Sequence, residues 1–183
     1  KYFFLSLIGI LLLTVAAFSN CLKNDWLTNW DDNIYILNSP SVQNLSVEGL
    51  KRIFTTYETD NYHPFTTLTY AIDYKLFGFN AYHFHLHNLL LHLFNVVLVF
   101  WFIRLLTGRW EASAIVAVFF AVHPMHVESV SWISERKDVL YSLFYLAALI
   151  AYVFYLNKNN RKYLVYTFVF FLCSLFSIAI YSK

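Results

Sequence analysis

Charge is what this chain has least of. Only 13% of its 183 residues are Asp, Glu, Lys or Arg, against roughly 25% in a soluble domain, while 59% are hydrophobic and 21% aromatic. A chain so poor in charge has too little polar surface to face water all round, which excludes an ordinary soluble enzyme and implies an integral membrane protein. Glycine, with four residues, and proline, with three, are also scarce, so each one present punctuates the chain. Of the two cysteines, Cys21 lies near the end of the first apolar run and Cys173 within the last. They are expected far apart in depth, with no disulfide framework. A formal net charge of +2 is too mild to call for nucleic acid as a partner.

What is present is a series of long apolar runs. Residues 2–19, 84–106, 112–122, 139–156 and 164–180 read as about five spans of an all-α polytopic membrane protein. The 112–122 run is too short to cross alone and breaks at His123-Pro124, so part of the 123–138 segment is expected to lie at membrane depth where it lines a cavity. Residues 20–80 form a long polar loop with local helices. Val47, Leu50, Ile53, Phe54 and Tyr57 recur at helical spacing and suggest an amphipathic helix on the membrane or on the spans. Pro64 suits a first helical position, with Leu68, Ile72 and Leu76 on one face up to a stop at Gly78. The chain begins at Lys1 without methionine and stops at Lys183 after an apolar run, as expected of a piece of a longer polypeptide.

The short loops orient the spans. The 157–162 loop carries Lys158, Arg161 and Lys162 and no acid, and the 104–111 turn carries Arg104 and Arg109 against Glu111. Basic residues near span ends are retained on the cytoplasmic side, so residues 20–80 and 123–138 share the outer face. Two adjacent acids, Asp31 and Asp32 in Asn29-Trp30-Asp31-Asp32-Asn33, then lie at the outer membrane surface, together with Tyr62-His63-Pro64 and the run from His123, His126 and Glu128 to Glu135, Arg136, Lys137 and Asp138. A charge at the bilayer centre costs roughly 2.5–3.5 kcal/mol on insertion scales, so acids placed just outside it mark a site or a solvated loop. Inside the second span, His85, Asn88, His92 and Asn95 share one helical face. Interhelical hydrogen bonds account for the deeper His92 and Asn95, whereas His85, nearer the outer surface, is within reach of a ligand. The spacing His-Pro-x-His-x-Glu from His123 to Glu128 fits no standard metal set, so no metal ligands are assigned, although the aspartate pair leaves a divalent ion open. A transporter using the polar stripe, or a non-catalytic structural subunit, are the rival readings.

Five ordered motifs carry a resemblance: Trp30-Asp31-Asp32-Asn33, Tyr62 to Thr69, Phe84 to His92, His123 to Glu128, and Ser134 to Leu140. Together they resemble the amino-terminal membrane domain of the transmembrane and tetratricopeptide-repeat O-mannosyltransferases and their bacterial relatives. The resemblance implies a GT-C-like glycosyltransferase with a polyprenyl-phosphate-linked, mannose-like sugar as donor. It also implies an active site in the first extracytoplasmic loop and a protein serine or threonine, or a lipid-linked hydroxyl, as acceptor. The helical repeats of that family are not in this sequence and are expected elsewhere in the native protein. An Asn-, Lys-, Tyr- and Phe-rich composition suits a bacterial inner membrane. Such a transfer needs a carboxylate base, for which Asp31 and Asp32 are the candidates. It also needs cations at the departing phosphate, for which Arg136, Lys137 and His63 are the candidates. Tyr62, His85, His123, His126, Glu128, Glu135 and Asp138 are expected to line the site.

The charge count yields a direct test. Single cysteines at positions 45 and 125 should react with an impermeant thiol reagent added to intact cells, and one at position 160 should not. Labelling of position 160 from outside would reverse the topology.

Overall fold

The computed structural model describes residues 2–57 and 61–177 and the backbone of the strand Ile180–Tyr181. The protein is all-α. Its helices are α1 (Tyr2–Phe18), α2 (Pro40–Gln43), α3 (Val47–Thr55), α4 (Pro64–Phe77), α5 (Ala81–Thr107), α6 (Trp110–Val122), α7 (His126–Ser131), α8 (Arg136–Lys158) and α9 (Arg161–Leu175). Beyond these lie short helical turns and one two-residue antiparallel pair, in which Asn61 faces Tyr181 and Tyr62 faces Ile180.

Local chemistry sets the helix ends. Asn80 caps α5 by accepting from Tyr82 N–H at 3.1 Å, and Gly108 closes it with φ of 69°, a left-handed value that L side chains rarely adopt. Pro64 opens α4, where its missing N–H costs nothing, and Gly78 ends it with φ of 61°. Ser46 caps α3 by accepting from Gly49 N–H at 3.2 Å.

Three segments are long and apolar enough to cross a bilayer: Tyr2–Lys23, Ala81–Thr107 and Ile133–Lys158. At about 1.5 Å per residue, the 13 residues of α6 reach about 20 Å, short of the roughly 30 Å hydrocarbon core. Helix α9 stops at Leu175, inside the 164–180 run, and Phe176 and Ser177 turn back toward α4: the Phe176 carbonyl accepts from Phe65 N–H, and the Ser177 carbonyl accepts from Thr66 Oγ1–H at 2.9 Å. Positions 178 and 179 of that run lie outside the described residues. Helix α5 is central, packing on α6 and α8, and α8 packs in turn on α9. Leu12, Phe94, Phe119, Leu156 and Phe168 stay largely exposed, as expected of a surface whose solvent is lipid.

Helix α4 is inverted relative to its sequence pattern, whereas α3 keeps its apolar stripe outward, as a helix lying on the membrane does. In α4 the apolar positions Ile72 and Leu76 point outward and Leu68 is half-buried, while Thr66, Thr67, Tyr70 and Asp73 are buried. In α3 only Ile53 of the apolar stripe is buried; Val47, Leu50, Phe54 and Tyr57 are exposed. The inversion has a physical reason. Where neighbouring helices supply hydrogen-bond partners and the outside is apolar, burying the polar face is the favourable arrangement.

The partner that draws the polar face of α4 inward is Arg136. Its side chain is fully buried, and its guanidinium donates to Asp73 Oδ2 at 2.6 Å, Asn88 Oδ1 at 2.7 Å, the Phe84 carbonyl at 3.0 Å and Thr69 Oγ1 at 3.2 Å. It also lies 4.6 Å from the Tyr70 ring centroid. His87 Nδ1 meets the same Asp73 carboxylate at 2.8 Å. Burial raises the pKa of the Tyr70 hydroxyl well above its usual range, so it remains a donor, to the Ile133 carbonyl at 2.9 Å. One arginine thereby ties α4, α5 and the start of α8 together.

Removing one partner of a buried ion pair strands the other charge and costs about 3–5 kcal/mol. Arg136→Ala and Asp73→Ala should each abolish or sharply lower the folded yield in detergent. Arg136→Lys should rescue little, because an ammonium cannot reproduce the planar fork that serves four partners. Thermal-shift and size-exclusion profiles equal to wild type for Arg136→Ala would show that the pair is dispensable.

Candidate active site at the outer end of the helices

The site is assembled from two stretches distant in sequence. Asp32 stands at the start of a helical turn, next to the π-helical residues Asn33–Leu37, and is 1% exposed. Its Oδ1 accepts from Trp132 Nε1–H at 3.0 Å, from Ser134 N–H at 3.1 Å and from the Ser134 hydroxyl; its Oδ2 accepts from Leu27 N–H at 2.9 Å. A single carboxylate thus pins the first loop to the link between α7 and α8. Asp31, next to it and half-buried, makes no hydrogen bond or ion pair among the described residues.

A cavity of about 500 Å³ lies against this clamp, lined by Asn24, Asp25, Trp26, Leu27 and Asp32 from the first loop, by His85 of α5, and by Val127, Glu128, Ser131 and Trp132. A second cavity of about 340 Å³ shares Asn24, Val127 and Ser131 with it and continues past Ala17, Phe18, Cys21 and Val122 at the ends of α1 and α6. The two cavities therefore adjoin, both with mainly apolar walls, and carboxylates line only the first.

Of the residues expected at the site, Asp32, His85 and Glu128 come together on the first cavity. The polar stripe of α5 divides by depth. Asn88 donates to the Trp132 carbonyl at 3.0 Å, Asn95 to the Val139 carbonyl at 2.8 Å, and His92 Nε2 meets the Ala121 carbonyl at 3.0 Å, so these three bind helix to helix. His85, only 2% exposed, has no hydrogen-bond partner on either ring nitrogen. Glu128 is exposed, and its carboxylate makes no hydrogen bond among the described residues.

The others are placed elsewhere. Arg136 is fully enclosed by protein partners, so the expectation that it grips a donor phosphate does not fit this geometry: a phosphate would have to displace Asp73. Lys137 pairs with Glu135 at 2.6 Å and keeps about a fifth of its side chain exposed. His63 is buried against Thr67 Oγ1 at 3.0 Å, and Tyr62 donates to the Phe54 carbonyl at 2.9 Å, both away from the main cavity. Asp138 accepts from Ser129 Oγ–H at 3.0 Å, joining α7 to α8. His123 accepts from Met125 N–H at 3.2 Å. His126 lies among His92, Phe120 and His123, where burial, and then the neighbouring His123, lower its pKa. Among the described residues no group of three or more His, Cys, Asp or Glu is arranged to hold a metal ion.

The sequence pattern did not single out Asp25, Trp26 and Trp132, which line the cavity, or Asp73, which fixes Arg136. Asp73 left a faint signal: a lone acid within α4, nine residues after Pro64 and about 100° round the helix from Ile72.

Comparison with known proteins agrees with the motif order. The chain is 34% identical to protein O-mannosyl-transferase TMTC2 of Homo sapiens over 114 residues, 62% of this chain and 13% of that protein. It is 28% identical to protein O-mannosyl-transferase TMTC4 of Homo sapiens over 82% of this chain and 23% of that protein. It is also 28% identical to protein O-mannosyl-transferase F38B6.6 of Caenorhabditis elegans over 81% of this chain and 23% of that protein. No family model and no solved structure matches the chain. This multi-pass membrane chain is therefore a homologue of the TMTC-type protein O-mannosyl-transferases and spans less than a quarter of the length of these relatives.

Proposed function

We propose that this chain is the catalytic membrane part of a glycosyltransferase that moves a mannose-like sugar from a polyprenyl phosphate to a serine or threonine hydroxyl on the outer face of the membrane. The observation that carries this reading is the joined pair of cavities. A cavity lined by carboxylates and tryptophans at the helix ends adjoins one without charged side chains beside the ends of α1 and α6, an arrangement that suits a substrate with a polar head and a hydrocarbon tail. The relatives' names supply the sugar and the protein acceptor. The Asn-, Tyr- and Phe-rich composition supports a bacterial inner membrane as the setting, although the relatives named above are animal proteins.

In the reaction, the acceptor oxygen attacks the anomeric carbon as the bond from that carbon to the phosphate oxygen breaks. The hydroxyl proton passes to a carboxylate, and the polyprenyl phosphate leaves with the electron pair. Asp32 already accepts four hydrogen bonds, which fixes its position but occupies the lone pairs a base needs. Asp31 is adjacent and unpaired, so we assign proton acceptance to it and positioning to Asp32. Glu128, exposed on the cavity wall and without a partner among the described residues, is the rival base. Of the expected phosphate ligands, Lys137 is partly exposed and held by Glu135 alone, and we assign it the contact with the departing phosphate.

Single-turnover transfer by the complete protein tests the assignment. Asp31→Asn should fold normally and bind donor while transfer falls about 10²- to 10⁴-fold, the usual contribution of a positioned base. Asp32→Asn should fail earlier, in stability, because an amide nitrogen or a weaker acceptor now faces donors that a carboxylate satisfied. Lys137→Ala should weaken donor binding as well as transfer. Full transfer by Asp31→Asn with loss in Glu128→Gln would move the base from Asp31, which lines neither cavity, to the cavity wall, and full transfer by all of these variants would end the transferase reading.

A further inference from the structure

The lining of the larger cavity says which part of a substrate it takes. Its walls hold the carboxylates Asp25, Asp32 and Glu128 and neither lysine nor arginine. A phosphate entering there would meet like charge on several sides without a counter-ion, which is unfavourable at any protein dielectric. A metal ion is no better served. Asp32 has both oxygens engaged by N–H and O–H donors, and no metal-holding cluster occurs among the described residues. A neutral polyol, by contrast, matches the inventory. Its hydroxyls donate to exposed carboxylates and exchange bonds with Asn24, and its C–H surface is buried against the indoles of Trp26 and Trp132.

His85 adds an independent observation. The residue is 2% exposed, it forms part of the cavity wall, and neither ring nitrogen makes a well-formed hydrogen bond, the Asp25 backbone on the first loop being its polar neighbour. Buried polar groups are nearly always satisfied, and leaving one unmet is unfavourable. Its neighbours in the α5 stripe, Asn88, His92 and Asn95, all have partners. The charged groups that face His85 are Asp25 and Asp32 from the first loop and Arg136 from α8. An imidazole can donate from one nitrogen and accept at the other, and a sugar hydroxyl does the same.

We infer that this cavity is a saccharide subsite, with Trp26 and Trp132 flanking the sugar, Asp25 and Glu128 accepting from its hydroxyls and His85 hydrogen-bonding it from the cavity wall, while the phosphate sits outside. The inference rests on the donor reading above and adds which chamber holds which part of the donor.

The test compares two probes on the complete protein in lipid nanodiscs: a polyprenyl phosphate carrying mannose and the same polyprenyl phosphate bare. Wild type should bind the mannosylated lipid at least about tenfold more tightly, the worth of one or two net hydrogen bonds. His85→Ala should lose about that factor on the mannosylated lipid and leave the bare lipid unchanged. His85→Gln, which keeps a donor and an acceptor, should recover part of the preference. Because the ring has no protein hydrogen bond to lose, neither variant strands a partner, and the thermal midpoint reports any packing loss separately. Equal weakening on both lipids would make His85 a phosphate contact and overturn the subsite. No change on either lipid for His85→Ala and Glu128→Gln would also overturn it. If wild type binds both lipids alike, the donor reading stands and the subsite falls; if it binds neither, the donor reading itself fails.

Discussion

The buried guanidinium of Arg136 is the constraint on which the outer half of this protein depends. An arginine with no exposed side chain is tolerable only when its charge is balanced and its N–H groups are met, and here Asp73, Asn88, Thr69 and the Phe84 carbonyl meet them. These partners come from α4 and α5, so satisfying the one side chain fixes where both helices stand relative to α8. The inward-facing polar side of α4 follows from the same requirement. So does the outward turn of Ile72 and Leu76, which the lipid-like surroundings accept at no cost.

A second, smaller clamp rests on that frame. Asp32 receives the Trp132 indole, the backbone and hydroxyl of Ser134 and the Leu27 N–H. Ser134 lies two residues before Arg136, and Trp132, which bonds Asp32 through its indole, accepts from Asn88 through its carbonyl. The two networks are therefore mechanically joined: Asn88 touches Arg136 on one side and Trp132 on the other. A change that loosens Arg136 is transmitted to the wall of the cavity without touching anything in it. This is how a residue that holds no ligand can still be essential to a site.

Within the α5 stripe, depth decides role. Asn88, His92 and Asn95 face carbonyls of the α7–α8 link, α6 and α8, where helix breaks or helix starts leave oxygens free to accept. His85 sits nearest the outer end, where no packed helix offers it a carbonyl and its backbone neighbour is Asp25 of the first loop. The same residue type on the same face is structural where the protein supplies a partner and open to a ligand where it does not.

Much of this was legible in the sequence. Scarcity of charge sets the membrane class, because a bilayer-facing surface needs apolar side chains whatever the fold. Ser46, Asn80, Pro64, Gly78 and Gly108 mark helix ends, because caps and left-handed residues act within one turn of chain. The one-face spacing from His85 to Asn95 announces a polar helix face for the same local reason. What the sequence alone did not decide is which polar residues meet. Asp32 and Ser134 are 102 residues apart, and Arg136 and Asp73 are 63 apart. No periodicity encodes such pairings; they are selected when several helices settle together and each buried donor must find an acceptor. Arg136 and Lys137 are neighbours of equal charge on paper, yet one is buried in an ion pair and the other reaches the surface, since consecutive helical residues point about 100° apart. That difference, and the gathering of Asp25, Trp26, His85, Glu128 and Trp132 around one cavity, belong to the tertiary structure alone.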